Sequence, residues 1–263
     1  MMSERKGMSW IEEKSNRIID FVISREQEEG GFSFAAIAPP TLEDTYYALR
    51  VFDELNFNYE NEKTCEFVKG TRLTNKNMFS LFQFLFLAKK LGIKYDKRKM
   101  INSVKTSFSL NIDSIYYAMR CAEILKENSL LRLLKNKSQQ YVSSQKIADT
   151  IDVVSKQVFL LKKLGIKFNK QEYVAWIKKC QGFEGGFGLG PRSTSFLEST
   201  HAALTALSIL RSSPNDMDEC EKFIRCCQSG RGGFGRQITT VPTLESTYQV
   251  VHSFKLINNM RRR

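Results

Sequence analysis

Apolar residues along the chain recur at helical spacing, and the stretches they mark are of two alternating kinds. One kind has mixed polarity, as in 10–24 and 173–180. The other is more apolar, as in 46–55 and 201–210. Alternation of this sort predicts an all-α protein of two layers, with a buried inner set of helices and a wetter outer set. The longest apolar run, 78–88, is interrupted by Ser80 and Gln83 and is too short to cross a bilayer.

A longer period lies over the helical one. Gly30-Gly31-Phe32, Gly185-Gly186-Phe187 and Gly232-Gly233-Phe234 are each followed by a Leu-Glu pair, with the glutamates at Glu43, Glu198 and Glu245. From second glycine to glutamate the distance is the same in all three. Cys180-Gln181 and Cys227-Gln228 precede two of the loops, and the first keeps Gln27. Weaker copies fill the gap between the first and second loops, so that the glutamate station runs 43, 79, 113, 152, 198, 245. Six such copies of two helices each predict about twelve helices over one domain, 1–263. Thr41, Ser195 and Thr243 stand where N-caps belong, after Pro39-Pro40, Pro191 and Pro242. A closed ring would bury the end repeats, whereas an open superhelix would need capping repeats.

Composition adds bounds to this picture. The 263 residues are 42% hydrophobic and 26% charged, enough apolar surface to exclude global disorder. Six cysteines are scattered through a lysine-rich chain whose first residues lack the apolar core of a signal peptide, which points to reduced thiols and a cytoplasmic protein. The net charge of +12 is concentrated in the middle: 61–180 holds 24 Lys and Arg against 9 Asp and Glu. Such a segment attracts phosphates, an acidic protein partner or an anionic membrane, or is a solvated lysine face. No nucleic-acid-binding motif accompanies the charge, so that class is disfavoured.

The pattern Gln-x-x-x-Gly-Gly-Phe followed by Leu-Glu-Ser-Thr-Tyr resembles the repeat shared by protein prenyltransferase β-subunits and squalene or terpene cyclases. The resemblance is strong at 25–57 and 178–257 and weaker between. It implies an α/α toroid, six helical hairpins in a closed ring around a central apolar cavity. In the prenyltransferases a zinc ion is held by an Asp-x-Cys pair at the start of one inner helix and by a histidine from a later one. The matching stations here, 43–45, 113–115, 152–154, 198–200 and 245–247, contain no cysteine, and the histidine station falls on Glu198 or Glu245. The resemblance therefore implies the fold without the zinc set. No metal site is expected, and Mg2+ is left as a cation that could accompany a diphosphate.

The resemblance also supplies candidate roles. Glu43 and Asp44 match the second half of the acid motif of protonating cyclases, and Glu198 and Glu245 recur at the same place. First-turn carboxyls would equally serve the helix dipole. Arg192 stands six before Glu198, where the family places a diphosphate-binding arginine, and Arg236 flanks the last glycine loop. His201 and Tyr248 lie three after the acidic station, where the family has a tyrosine near the phosphates. Tyr47 and Tyr117, with Tyr46, Tyr116, Phe82 and Phe86, would line an isoprenoid cavity or simply pack a core. Two functions follow: an enzyme acting on an isoprenoid or prenyl diphosphate, or a non-catalytic toroid that binds an isoprenoid or a protein.

Overall fold

The computed structural model describes residues 10–35, 37–73 and 77–263; the charged N-terminal segment read above lies outside them. Among the described residues there are twelve helices and one two-residue β-ladder. The helices form six hairpins. The inner helices are α2 (Leu42–Glu54), α4 (Met78–Lys90), α6 (Ile112–Ile124), α8 (Ile151–Leu164), α10 (Leu197–Leu210) and α12 (Leu244–Arg261). The outer helices are α1 (Trp10–Ile23), α3 (Glu62–Gly70), α5 (Lys97–Ser107), α7 (Asn128–Ser144), α9 (Lys170–Lys179) and α11 (Met217–Cys226). Each inner helix packs on the next, and α12 packs on α2, so the ring is closed. No described helix is long and apolar enough to cross a membrane.

All six inner helices begin one residue before the repeat station found in the sequence. Their starts are capped locally. Thr41, Asn111 and Thr243 accept the N–H three residues on, from Asp44 (2.9 Å), Ser114 (2.8 Å) and Ser246 (3.0 Å). Two expectations shift by one residue. The N-cap of α10 is Phe196, which has no capping side chain, and Ser195 belongs to β2 (Ser195–Phe196), paired with β1 (Phe187–Gly188). The bridges Gln181 to Phe187, Gln228 to Phe234 and Glu26 to Phe32 also show that Glu26, and not Gln27, is the counterpart of the two loop glutamines.

The glycine pairs are the joints between repeats. Gly30, Gly185 and Gly232 have φ of 92°, 87° and 94°, which disfavours side chains, and a Cβ on any of them would strike backbone. The backbone struck belongs to the next outer helix: Lys63 of α3, Glu219 of α11 and Arg17 of α1. The second glycine of each pair faces a phenylalanine ring one turn further on, Phe67, Phe223 and Phe21. The last glycine loop thus docks on the first outer helix, and this contact helps close the ring.

Each loop is also tied to its own inner helix. The N–H of the fully buried Phe32, Phe187 or Phe234 donates to the hydroxyl of Thr45 (3.0 Å), Thr200 (2.9 Å) or Thr247 (3.2 Å). Those hydroxyls in turn donate to the carbonyls of Thr41, Phe196 and Thr243. The threonine after each Leu-Glu is therefore a latch, with both its donor and an acceptor lone pair in use.

Gly185→Ala should separate close approach from backbone strain when compared with Gly92→Ala. Gly92 also has positive φ, 66°, but open space around it. The Gly92 change should cost about 1–2 kcal/mol, the left-handed penalty alone. Overpacking should add about 1–3 kcal/mol at Gly185. Urea unfolding measures both, and equal losses would refute the docking role.

Candidate functional site

The six inner helices enclose a cavity of about 460 Å3. Counted from the first residue of each inner helix, its lining falls in layers. The layer one residue in is Phe79, Asp152, Glu198 and Glu245, with Glu43 and Asp113 at the same height outside the lining, an acidic mouth at the helix N-termini. Four and five residues in lies an aromatic belt: Tyr46 and Tyr47, Phe82, Tyr116 and Tyr117, and Tyr248, interrupted by His201 and Lys156. Eight residues in are Arg50, Arg120, Phe159, Thr205 and His252, with Phe86 at the same height outside the lining. Ring contacts between equal or adjacent layers show the inner helices to be parallel, with Tyr46–Phe82 at 5.7 Å, Tyr47–Tyr248 at 5.9 Å and Tyr116–Phe159 at 4.9 Å. The cavity is thus not uniformly apolar as expected. Cations are embedded in an aromatic wall.

Arg50 is the most enclosed of these cations. Its guanidinium lies over the faces of Tyr248 (4.4 Å), Phe86 (5.3 Å) and Tyr46 (5.7 Å), and donates to the Tyr46 hydroxyl at 2.8 Å and to that of Tyr248. Glu54, 3.6 Å away, balances its charge. Burial opposes ionisation of Glu54, but the Lys255 ammonium at 2.8 Å, His252 and Arg50 together hold its carboxyl below the usual range. Arg120 lies over Phe82 and Phe159, and Lys156 over Tyr117 while paired with Asp113. At the far end, pairs between neighbouring inner helices, Asp53 with Lys90 and Glu123 with Lys163, bridge the ring.

The chain's two histidines meet in this cavity, with His201 Nε2 and His252 Nδ1 2.9 Å apart. Burial, their mutual repulsion and Arg50 push His201 well below the ordinary imidazole value; burial and Arg50 act likewise on His252 against the pull of Glu54. Both rings are neutral at physiological pH, one donating and the other accepting.

At the mouth, Glu245 accepts from the Tyr47 hydroxyl (3.0 Å) and from Gln249 Nε2 (3.1 Å). It is reached by solvent through the mouth yet ringed by protein, and burial together with the charges of Glu43 and Glu198 raises its pKa. Glu43 is raised by burial and by Asp44. Glu198 is paired with Arg236, whose guanidinium stacks 4.6 Å from the Phe196 ring.

Of the residues singled out in the sequence, Glu198, Glu245, His201, Tyr248, Tyr47 and Tyr117 all line the cavity. Glu43 stands beside them at the rim. Asp44 is turned aside, its carboxylate held by the Thr41 hydroxyl at 2.8 Å. Arg192 is exposed, in a left-handed loop conformation, and does not line the cavity. Arg236 reaches the mouth but is engaged by Glu198. Sequence reasoning missed Arg50, Arg120 and Lys156. Their signal was a basic residue on the cavity face of an otherwise apolar inner helix. A family-type zinc ion does not fit: the threonines at the cysteine station are consumed as latches, and no group of three or more His, Cys, Asp or Glu among the described residues is placed to hold a metal.

A closed ring of helical hairpins around an aromatic cavity defines an α/α toroid. The family model described as the prenyltransferase alpha-alpha toroid domain matches residues 3–213 and 130–263, and the chain belongs to that family. Its fold is similar to that of Candida albicans protein geranylgeranyltransferase-I complexed with GGPP, with a TM-score of 0.68 and 13% identity over 93% of this chain and 91% of that one. Comparison with curated proteins gave no significant match.

The histidine pair makes a pH-dependent prediction. Imidazole resonances of His201 and His252 followed by NMR should not titrate between pH 8 and about 5.5, because both folded pKa values lie below the ordinary 6.5. The unfolded rings do take up protons there, so the pair withdraws stability as pH falls below 6.5 and contributes no slope above it. A normal titration near 6.5 would contradict the buried neutral pair.

Proposed function

We propose that this toroid binds an isoprenoid in its central cavity and acts on it as a prenyltransferase- or cyclase-like protein, in the cytoplasm. The observation that carries the reading is the aromatic belt contributed by four of the six inner helices. An isoprenoid chain laid along it gains about 0.8 kcal/mol per buried methylene, and the ring faces would stabilise a developing carbocation. The GGPP bound to the structural neighbour supports the same class of ligand.

A diphosphate head finds its best support on the α4–α6–α8 side of the mouth. Lys156 is accessible there, beside Ser109, Asn111 and Ser114. Lys156 is paired with Asp113 at the mouth, and Arg50 and Arg120, matched by Glu54 and Glu123, lie further along the inner helices. Of the four candidate carboxyls, Glu245 is the best placed for acid–base work. It reaches the cavity, and burial with the charges of Glu43 and Glu198 raises its pKa above the ordinary carboxyl value. Glu43 and Glu198 set its field, and Asp44 serves the helix cap.

Calorimetry with geranylgeranyl diphosphate and geranylgeraniol tests the reading. Tyr117→Ala should weaken both ligands by a similar factor. Lys156→Ala should weaken the diphosphate by about 1–3 kcal/mol, the loss of a charge-assisted hydrogen bond, and spare the alcohol. Failure of both ligands to bind the wild type would sink the isoprenoid reading. Elemental analysis is expected to find less than stoichiometric zinc, and one zinc per chain lost in Glu198→Ala would overturn the metal-free site.

A further inference from the structure

The α10–α12–α2 side of the mouth is rich in acceptors and short of donors. Glu43, Glu198 and Glu245 converge there from three helices, close enough that the first two raise the pKa of the third. Glu198 is the one of the three with an ion-pair partner, Arg236. Among the described residues, both hydrogen bonds to Glu245 fall on Oε1, from Tyr47 and Gln249, and none reaches Oε2.

A second observation is independent of charge. Gln249 is 6% exposed, and it lines both the central cavity and the opening beside it that Glu198 and Glu245 share. Its Nε2 donates to Glu245, which orients the amide and leaves Oε1 as an acceptor. That oxygen is buried and has no partner among the described residues. Buried carbonyls are almost always satisfied, so an orphan lining a cavity marks a place where a donor is missing.

A ligand that answers both features carries positive charge and N–H bonds. A bare metal ion does not, since no three-ligand group is arranged for one among the described residues. Tyr47 and Tyr248 add aromatic faces to the same region, which suit an organic cation. Arg236, seated on Glu198 and stacked on Phe196, is an intramolecular example of how this rim holds a guanidinium. We infer that this side of the mouth recognises an ammonium or guanidinium group of a ligand, with Gln249 Oε1 and Glu245 as its direct acceptors and Glu43 and Glu198 supplying the field. This rests on the isoprenoid reading only for what fills the barrel below: a ligand with a cationic head at this rim and an apolar tail in the cavity.

Two ligands with one tail test this. Farnesylamine and farnesol differ in an ammonium against a hydroxyl. Calorimetry on the full chain should show the amine binding about tenfold or more tighter, as charge-assisted hydrogen bonds to a carboxylate and a buried amide oxygen give. In Glu245→Gln and Gln249→Leu the preference should fall to within about twofold while farnesol affinity holds. Gln249→Met serves if the leucine variant does not fold by circular dichroism, and the remote Glu172→Gln should keep the full preference. Equal affinities in the wild type, or a preference unchanged in the mouth variants, would overturn the inference. If farnesol does not bind at all, the isoprenoid reading falls by itself, and the tailless dication agmatine decides this one. Movement of the Gln249 side-chain amide resonances on adding agmatine upholds it, and no movement rejects it.

Discussion

The structure rests on three places where backbone touches backbone. Gly30, Gly185 and Gly232 each bring a loop against the main chain of the next outer helix, so closely that a methyl group has no room. Because Gly232 meets α1, the same joint that spaces neighbouring repeats also helps shut the ring. Closure removes the exposed apolar ends that an open array would have to cap. The threonine latch then transfers the loop's position to the start of the inner helix through one buried hydrogen bond. Three inner helices are thereby set at one height, and ring contacts between equal or adjacent layers place the others with them.

Equal height is what makes the cavity chemically stratified. Each sequence position in the repeat becomes a floor of the barrel. The first floor gathers carboxyls because five of six inner helices carry an acidic residue in their first turn, where the helix dipole favours it. Taken one helix at a time each is a reasonable terminal residue. Taken together they repel, and the molecule relieves that in different ways: Arg236 on Glu198, Lys156 on Asp113, and hydrogen bonds from Tyr47 and Gln249 on Glu245. The deeper floors hold cations, of which Arg50 is the one largely withdrawn from water. Aromatic faces and single carboxylates take the place of hydration there, which is why Arg50 is tolerated beside two neutral histidines.

Much of this was legible in the chain. The six-fold station at 43, 79, 113, 152, 198 and 245 located every inner helix to the residue, because the loop length between glycine and helix is invariant where the latch exists. The one-residue misplacements, Ser195 and Gln27, came where side-chain chemistry was matched by type while the bridges follow backbone spacing. The aromatic lining was visible as Tyr46, Tyr47, Tyr116, Tyr117 and Tyr248. The acidic candidates were visible too, but not that Asp44 turns to Thr41 while Glu245 turns to Tyr47.

The sequence by itself determined the all-α class, the number of hairpins and the absence of a thiolate at the zinc station, since each depends on residue type at a local spacing. Tertiary structure decided which helices meet across the ring. His201 and His252 are 51 positions apart and come within hydrogen-bonding distance only because α10 and α12 are neighbours. Tyr47 reaches Glu245, and Arg50 reaches Tyr248, only because the last inner helix returns to the first. Arg192 kept the expected sequence offset and still missed the cavity, because a left-handed turn carries it to the surface. Offsets along a chain fix height on a helix. They do not fix which way a loop turns, nor which charges will share one mouth.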